Sequence, residues 1–331
     1  MRSLDSYVVT RPYPESNVGS NLASMAGAVW LAGRLGRTLV VDWRGLSQLR
    51  DKSLNYFTEF FDPPAEIDGV RVRYAPEVEV DGDEARWLDA GEARAAGTGA
   101  ATVDAATPIV LQPYHGLDRV HPGREPDRFK LLRRFYGRVA PSAAVARPAD
   151  SWWAEHCEGA FVVGVNVRTG NGAYFGKGMA YTGRVDVSLF DDPRSFLRLL
   201  ERACRDRLRG LPKPLRDDYV VFYATDSTAM SELLGELPKA VTRRRTFPPA
   251  GAGDTYAFGE TGYTDRDSIA DTLADMFLLA RCDALVYNSS VFNQYARVST
   301  GYFGGNHVHF ESLLLRKRVR YLVGAVRRRV G

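Results

Sequence analysis

The sequence predicts an α/β protein made of two Rossmann-like halves, and three observations carry that prediction. Short β-branched runs alternate with stretches of helical periodicity along most of the chain, the rhythm of a sheet with crossover helices. Several of those runs are apolar at almost every position, as strands are when both faces of a parallel sheet are covered. With 331 residues, 45% hydrophobic and 25% charged, the chain is long enough for two domains with sizeable cores.

Taken in order, YVVT at 7–10 reads as the first strand. Leu22, Met25, Ala26, Val29 and Trp30 then recur at helical spacing, and Gly36 marks the stop before TLVVD at 38–42, a second strand. That is a βαβ unit. From about 62 to 107 the pattern weakens into an acidic, Ala- and Gly-rich stretch with one alternating segment, VRVRY at 70–74, and an insertion of short strands and loop is expected there. Residues 108–111 read as another buried strand, 127–139 as a basic amphipathic helix, and the Ala- and Pro-rich 141–150 as a connection. The expected halves are therefore 1–150 and 151–331.

The second half has cleaner punctuation. VVGVNV at 162–167 is a strand, and a helix opens at Pro193 with Phe196, Leu199, Leu200, Ala203 and Leu208 on its apolar face. YVVFYAT at 219–225 is a strand ending in Asp226, and Ser227 opens a short helix. Asp267 or Ser268 caps a further helix that reaches Cys282, and ALVY at 284–287 is a strand followed by Asn288, Ser289 and Ser290.

Composition narrows the function. A net charge of +4 favours anionic ligands without requiring nucleic acid. Three widely spaced cysteines, Cys157, Cys204 and Cys282, supply neither a disulfide framework nor zinc-ligand spacing. No signal peptide and no apolar run of membrane-spanning length is legible, so a cytoplasmic location is expected.

The chemistry concentrates at strand ends. In a doubly wound sheet ligands bind outside the carboxyl ends of the strands. Arg168 follows the 162–167 strand and opens the glycine-rich TGNG loop, where a permanent planar cation suits a phosphate. Asn166 and Asn171 flank it, and Asp226, Ser227, Asn288, Ser289 and Ser290 end neighbouring strands. Asp275 sits on a helix that is apolar nearly all round, so its carboxylate must find donors, either on a ligand or from a nearby Arg or backbone N–H groups. In the first half, Asn17, Gly19, Ser20 and Asn21 open a helix whose N–H groups can meet an anion or a sugar hydroxyl. The loop 170–183, with five glycines and with Tyr174 and Lys177, suits a lid. The same residues also admit structural roles. Arg168 can form a salt bridge, Asp226 can cap the next helix, Asn17–Asn21 can be a plain cap, and 170–183 an ordinary surface loop. The spacings Asp81–Asp83 and Asp265–Asp267 fall in an acidic stretch and at a helix start, and no metal site is expected. His307 and His309 are expected in a loop or strand, and the cationic tail 316–329 on a solvated face.

Three segments carry a resemblance: GRTLVVDWRG at 36–45, NVRTGNG at 166–172 and ADMFLLARCD at 274–283. They resemble the bacterial nodulation fucosyltransferases and, more distantly, the eukaryotic core α-1,6-fucosyltransferases, over roughly 7–61 and 160–300. The resemblance implies a GT-B-like fold, two Rossmann-like domains with a cleft between them, the first on the acceptor side and the second holding the nucleotide sugar. It implies an inverting, metal-independent transfer from a GDP-sugar, GDP-fucose above all, to a hydroxyl of a glycan or glycosylated small molecule, with no cofactor. Arg168 would contact the donor diphosphate as the catalytic residue, Asp275 the guanine, and Asp226, Ser289 and Ser290 the donor.

The chain departs from that family at the loop. Asn166 stands where the resembling enzymes have His two residues before the arginine, and Ala173 and Tyr174 stand where acidic residues continue the loop. An asparagine cannot serve as general base. Three readings follow: the base comes from elsewhere, for example Asp42 or Asp186, the acceptor needs less help, or transfer has been lost. The rival functions are a non-catalytic sugar-nucleotide-binding protein and a transferase using a UDP- or TDP-sugar.

Overall fold

The computed structural model describes residues 6–13, 16, 18–46, 49–81, 83–112, 116–167, 193–226, 228–243, 266–288, 292–299 and 307–310. The chain divides into two compact units, Met1–Ala149 with Tyr256–Phe277 and Asp150–Thr255 with Leu278–Gly331.

In the first stretch of chain the elements run β1 (Tyr7–Thr10), α1 (Val18–Leu35), β2 (Thr38–Val41), α2 (Tyr56–Phe60), β3 (Phe61–Asp62), β4 (Glu66–Ile67) and β5 (Val70–Tyr74). They continue with β6 (Arg86–Leu88), α3 (Ala90–Thr98), β7 (Ile109–Leu111), α4 (Leu117–Val120), α5 (Glu125–Tyr136), β8 (Ala140–Pro141) and α6 (Ala143–His156). A sheet of order β4-β5-β2-β1-β7-β6 forms the centre of unit 1, parallel throughout except that β4 is antiparallel to β5. Apart from the Tyr7 hydroxyl and two threonines, the side chains of β1 and β2 are apolar, and Val8, Val9, Leu39, Val40 and Val41 are fully buried. Gly36, at φ +64°, ends α1 in the left-handed region where a side chain is strained, and the chain turns straight into β2.

Two expectations change here. The stretch 62–107, expected as an insertion of short strands and loop, supplies β4, β5 and β6 to the main sheet as well as helix α3. Alternation in β5 buries Val70, Val72 and Tyr74, which is enough to join the core beside β2. α3 forms in spite of its Ala/Gly composition because Asp89 and Glu92 make a reciprocal capping box and Gly99 closes the other end in the left-handed conformation. The connection expected at 141–150 is helix α6, which continues through Pro148. Pro148 lies in the second turn, and burial of Val145 and Ala149 offsets its missing donor.

Unit 2 holds β9 (Phe161–Val167), α7 (Pro193–Leu208), α8 (Lys213–Asp217), β10 (Tyr219–Thr225), α9 (Thr228–Leu234) and β11 (Ala240–Val241). After α10 (Arg266–Arg281) come β12 (Ala284–Tyr287), α11 (Phe292–Ser299) and β13 (His307–His309). The sheet has order β11-β10-β9-β12-β13 and is all parallel. Its core joins Val163, Val165, Val221 and Val286 to Phe196, Leu200 and Leu208 of α7. Gly164 is required inside β9, since a Cβ there would come within 2.8 Å of Leu285 Cδ2 and 2.9 Å of Cys282 Sγ. Helix α10 belongs to unit 1 as far as Phe277. Arg266 pairs with Glu59 at 2.8 Å, and the Phe277 ring meets Phe61 edge-on, centroids 6.1 Å apart.

Candidate functional site

Register gathers the expected residues of unit 2. Asn166 lies opposite Ala224 of β10 on one side and Tyr287 of β12 on the other. Asp226 and Asn288, each following its strand, therefore leave the sheet at the edge where β9 ends. The Asn166 amide is buried and donates from Nδ2 to Ala224 O at 3.1 Å, while its Oδ1 has no partner among the described residues. A buried amide held this way is a fixed polar group and carries no titratable proton. Asp226 stands half-buried in the bend between β10 and α9. Asn288 is fully buried, and its carbonyl accepts from Asn293 Nδ2 of α11 at 3.0 Å, which fixes the turn after β12.

Asp275 is 1% exposed, between Leu273 and Ala274 on one side and Met276 and Phe277 on the other, all buried. The sequence reading put it in the C-terminal domain. The structure groups it with unit 1, because the rest of its helix up to Phe277 packs there.

The carboxyl edge of unit 1 is built differently. Asp42, the residue after β2, is 5% exposed and accepts from two arginines. Arg11, the residue after β1, donates to Asp42 Oδ2 from Nε at 3.1 Å and Nη2 at 2.9 Å, and also from Nη2 to Val80 O at 3.0 Å. Arg44 donates to Asp42 Oδ1 from Nε at 2.7 Å and to Oδ2 from Nη2 at 3.1 Å, and its Nη atoms grip Glu79 at 2.7 and 2.8 Å. Burial pushes the Asp42 carboxyl up, but the hydrogen bonds and charges of Arg44 and Arg11 outweigh it and hold the group below its ordinary range. Asp42 is consequently a poor general base near neutral pH, which corrects its candidacy for that role.

At the start of α1, Gly19, Ser20 and Asn21 are buried. Ser16 Oγ stands 2.7 Å from Tyr13 O and 2.6 Å from Asn21 Oδ1, while Asn21 Nδ2 and Ser24 Oγ have no hydrogen-bond partner among the described residues. Asn55, which the sequence reading missed, ties the edge together: its Nδ2 donates to Val41 O at 2.7 Å and Ala75 O at 3.0 Å, and its Oδ1 caps α2. Arg11 and Arg44 were missed as well. The signal was available, since each directly follows or nearly follows a predicted strand.

Arg168, Asn171, Tyr174, Lys177, Ser227, Ser289, Ser290, Asn17 and Asp186 lie outside the described residues, as do the loop 170–183 and the tail 316–329. Among the described residues no group of His, Cys, Asp and Glu side chains is placed to hold a metal ion. Asp81 Oδ1 accepts from the Asp83 backbone N–H at 2.9 Å, an Asx turn. His307 and His309 lie on β13, against the Tyr287 ring. No helix among the described residues is long and apolar enough to cross a membrane.

Comparison with known proteins adds sequence and fold relationships. The family model described as Nodulation protein Z (NodZ) matches residues 5–90 and 128–303. Nodulation protein Z of Bradyrhizobium diazoefficiens is 27% identical over 319 residues, covering 89% of this chain and 80% of that protein. Nodulation protein Z of Azorhizobium caulinodans is 26% identical over 292 residues, covering 82% of each. Among solved structures, NodZ α-1,6-fucosyltransferase soaked with GDP-fucose superposes with a TM-score of 0.58 at 22% identity, covering 89% of this chain and 92% of that one. POFUT1 in complex with GDP-fucose gives 0.57 at 12% identity, covering 93% and 99%. The fold, α/β with two mainly parallel sheets, is the GT-B fold of these structures.

Proposed function

The chain belongs to the Nodulation protein Z family, and from that premise we propose that it is a GDP-fucose-dependent fucosyltransferase acting on a sugar hydroxyl. One observation carries the reading: the family match runs through both units and includes the NVRTGNG loop and the helix bearing Asp275. The α-1,6-fucosyltransferase of the same family was soaked with GDP-fucose, which supports that donor.

In this reading Arg168 neutralises the charge that grows on the diphosphate as the glycosidic bond breaks, the work a metal does in other transferases. Asp275 accepts from N1–H and the amino group of guanine. Asn166, Asn171, Asp226, Ser227, Asn288, Ser289 and Ser290 line the donor, and Asn17, Gly19, Ser20 and Asn21 serve the acceptor side with Tyr174 and Lys177 of the loop. Transfer is inverting and uses no cofactor. With Asn166 an amide and Asp42 locked as a carboxylate, neither supplies the base, and leaving-group stabilisation provides most of the acceleration. Cytoplasmic action is part of the proposal and agrees with three cysteines that are free and buried.

The test is a thermal-shift screen with GDP, UDP, TDP and their sugars, followed by donor turnover in excess chelator. Stabilisation by the guanine nucleotides and undiminished turnover in chelator are expected. Activity that appears only with magnesium or manganese would overturn the metal-free mechanism.

A further inference from the structure

Unit 1 holds a cavity of about 330 Å³ between α1, the β4–β5 turn, α4 and α5. Val70 opens β5, which runs parallel to β2, and Arg34 lies in the last turn of α1, the helix that returns from the carboxyl edge of the sheet to its amino edge. The cavity between them is therefore at the amino edge, and none of the strand-end residues assigned to the reaction lines it. Buried Val70, Leu117 and Phe135, with half-buried Trp30 and Leu131, give it a largely apolar lining. A space of this size takes one ring with a short substituent and excludes a helix or strand of a partner.

The polar part of the lining is Arg34, Asp68 and His121. Asp68 is already taken, since Arg134 grips its Oδ1 from Nε and its Oδ2 from Nη2, both at 3.0 Å. Arg34 donates from Nε to Gly97 O at 2.9 Å, which anchors the guanidinium, and it is in no ion pair among the described residues. His121 is held on two sides: its ring meets Trp30 edge-on, centroids 5.3 Å apart, and its Nδ1 accepts from the Gly123 N–H at 2.9 Å. Burial lowers the pKa of this imidazole, as do Arg128 and Arg34, while Asp127 opposes them. The ring is thus neutral near pH 7, and with Nδ1 accepting, its proton sits on Nε2 as a donor.

One uncompensated guanidinium and one neutral N–H match a monoanion. A phosphate dianion calls for more positive charge and has no apolar body to cover the rest of the lining. We propose that this cavity is a second ligand site, for a monocyclic aromatic carboxylate whose head meets Arg34 and His121 and whose ring lies against Trp30 and Phe135. The proposal does not depend on the fucosyltransferase reading.

The experiment titrates the whole chain at low ionic strength with benzoate, phenylacetate and 4-hydroxyphenylacetate, followed by calorimetry and by saturation-transfer NMR. Phenylacetamide, phenethylamine, hexanoate and inorganic phosphate serve as comparison probes. At least one of the aromatic carboxylates is expected to bind with a Kd of roughly 1 mM or tighter, within reach of a ligand of about ten non-hydrogen atoms. Phenylacetamide should bind at least about fivefold more weakly than phenylacetate, and phenethylamine and phosphate not at all. Saturating GDP should leave the affinity within about twofold. Arg34→Gln, at an exposed position, should weaken the carboxylate about tenfold with an unchanged melting temperature, and Leu131→Trp, which places a second indole in the cavity, should abolish binding. Failure of all three aromatic carboxylates to bind overturns the proposal, as does equal affinity of wild type and Arg34→Gln. Displacement by GDP places the probe at the nucleotide site and overturns it too, and hexanoate binding as tightly as phenylacetate overturns the ring assignment.

Discussion

At the carboxyl edge of unit 1, Asp42 is buried between Arg11 and Arg44, and Glu79 closes the array from outside. At the carboxyl edge of unit 2 the buried polar groups include Thr225 and the amides Asn166 and Asn288, and Asn166 Oδ1 has no hydrogen-bond partner among the described residues. The first edge pairs its charges internally. The second presents neutral, fixed polarity next to the strand end that leads into Arg168. Similar sheets thus arrive at different chemistry: compensated charges build one edge, and buried neutral polar groups the other.

The largest effect tests the closed edge. Asp42→Ala leaves two guanidinium groups facing each other without their shared carboxylate, and a loss of about 3 kcal/mol of stability by denaturant unfolding is expected. The pH dependence has a definite sign. The folded carboxyl lies below its unfolded value, so its contribution is present above the unfolded pKa of about 4 and is lost as pH falls through the lower folded value. The gap between wild type and Asp42→Asn should therefore narrow below about pH 4, and a gap that stays constant into acid would break the account of this edge.

The unit 2 edge is tested next. Arg168→Ala is expected to lower transfer at saturating donor by about a hundredfold, the scale of a lost charge-stabilising group, and also to weaken donor binding. Arg168→Lys should not restore the rate fully. Steady-state kinetics with rates near wild type for either variant would remove Arg168 from the mechanism.

Asp275→Ala should abolish preference for GDP over UDP by about 2 kcal/mol, the worth of a charge-assisted pair of hydrogen bonds, as measured by calorimetry. Equal affinity of the wild type for both nucleotides sinks this assignment. The smallest change is expected for Asn166→His, which should keep GDP affinity within about tenfold, or roughly 1.4 kcal/mol. A greater loss would mean that the amide itself, with its bond to Ala224 O, shapes the donor edge.

Much of the fold was legible because its central strands are continuous apolar runs: the strands expected at 7–10, 38–42, 162–167, 219–225 and 284–287 form at 7–10, 38–41, 161–167, 219–225 and 284–287. The stretch 62–107 was harder. Its helix α3 has only Ala93, Ala96 and Gly97 buried, too little apolar volume for a periodic signal, and it is specified by its caps instead. Helix α6 was hidden by Pro148, whose local cost is offset by packing that no local pattern displays. At the candidate site, the identity of the strand-end residues was readable, and the state of Asp42 was not.

The sequence by itself determined the alternation of strands and helices, the polar residues at the strand ends and the family, because apolar periodicity and motif spacing are local properties. Tertiary structure alone decided which of those residues meet. Arg11 and Asp42 are 31 positions apart and become neighbours only because Thr10 pairs with Val41 in the β1–β2 register. One step of slip would separate them and free the carboxylate. Likewise Asn166 meets Ala224 through the β9–β10 register, and Asp275 joins unit 1 through rings that pack across more than two hundred residues of chain. A side chain's charge is written in its chemistry, but its protonation, its aim and its partner are set by what folding brings within about 3 Å of it.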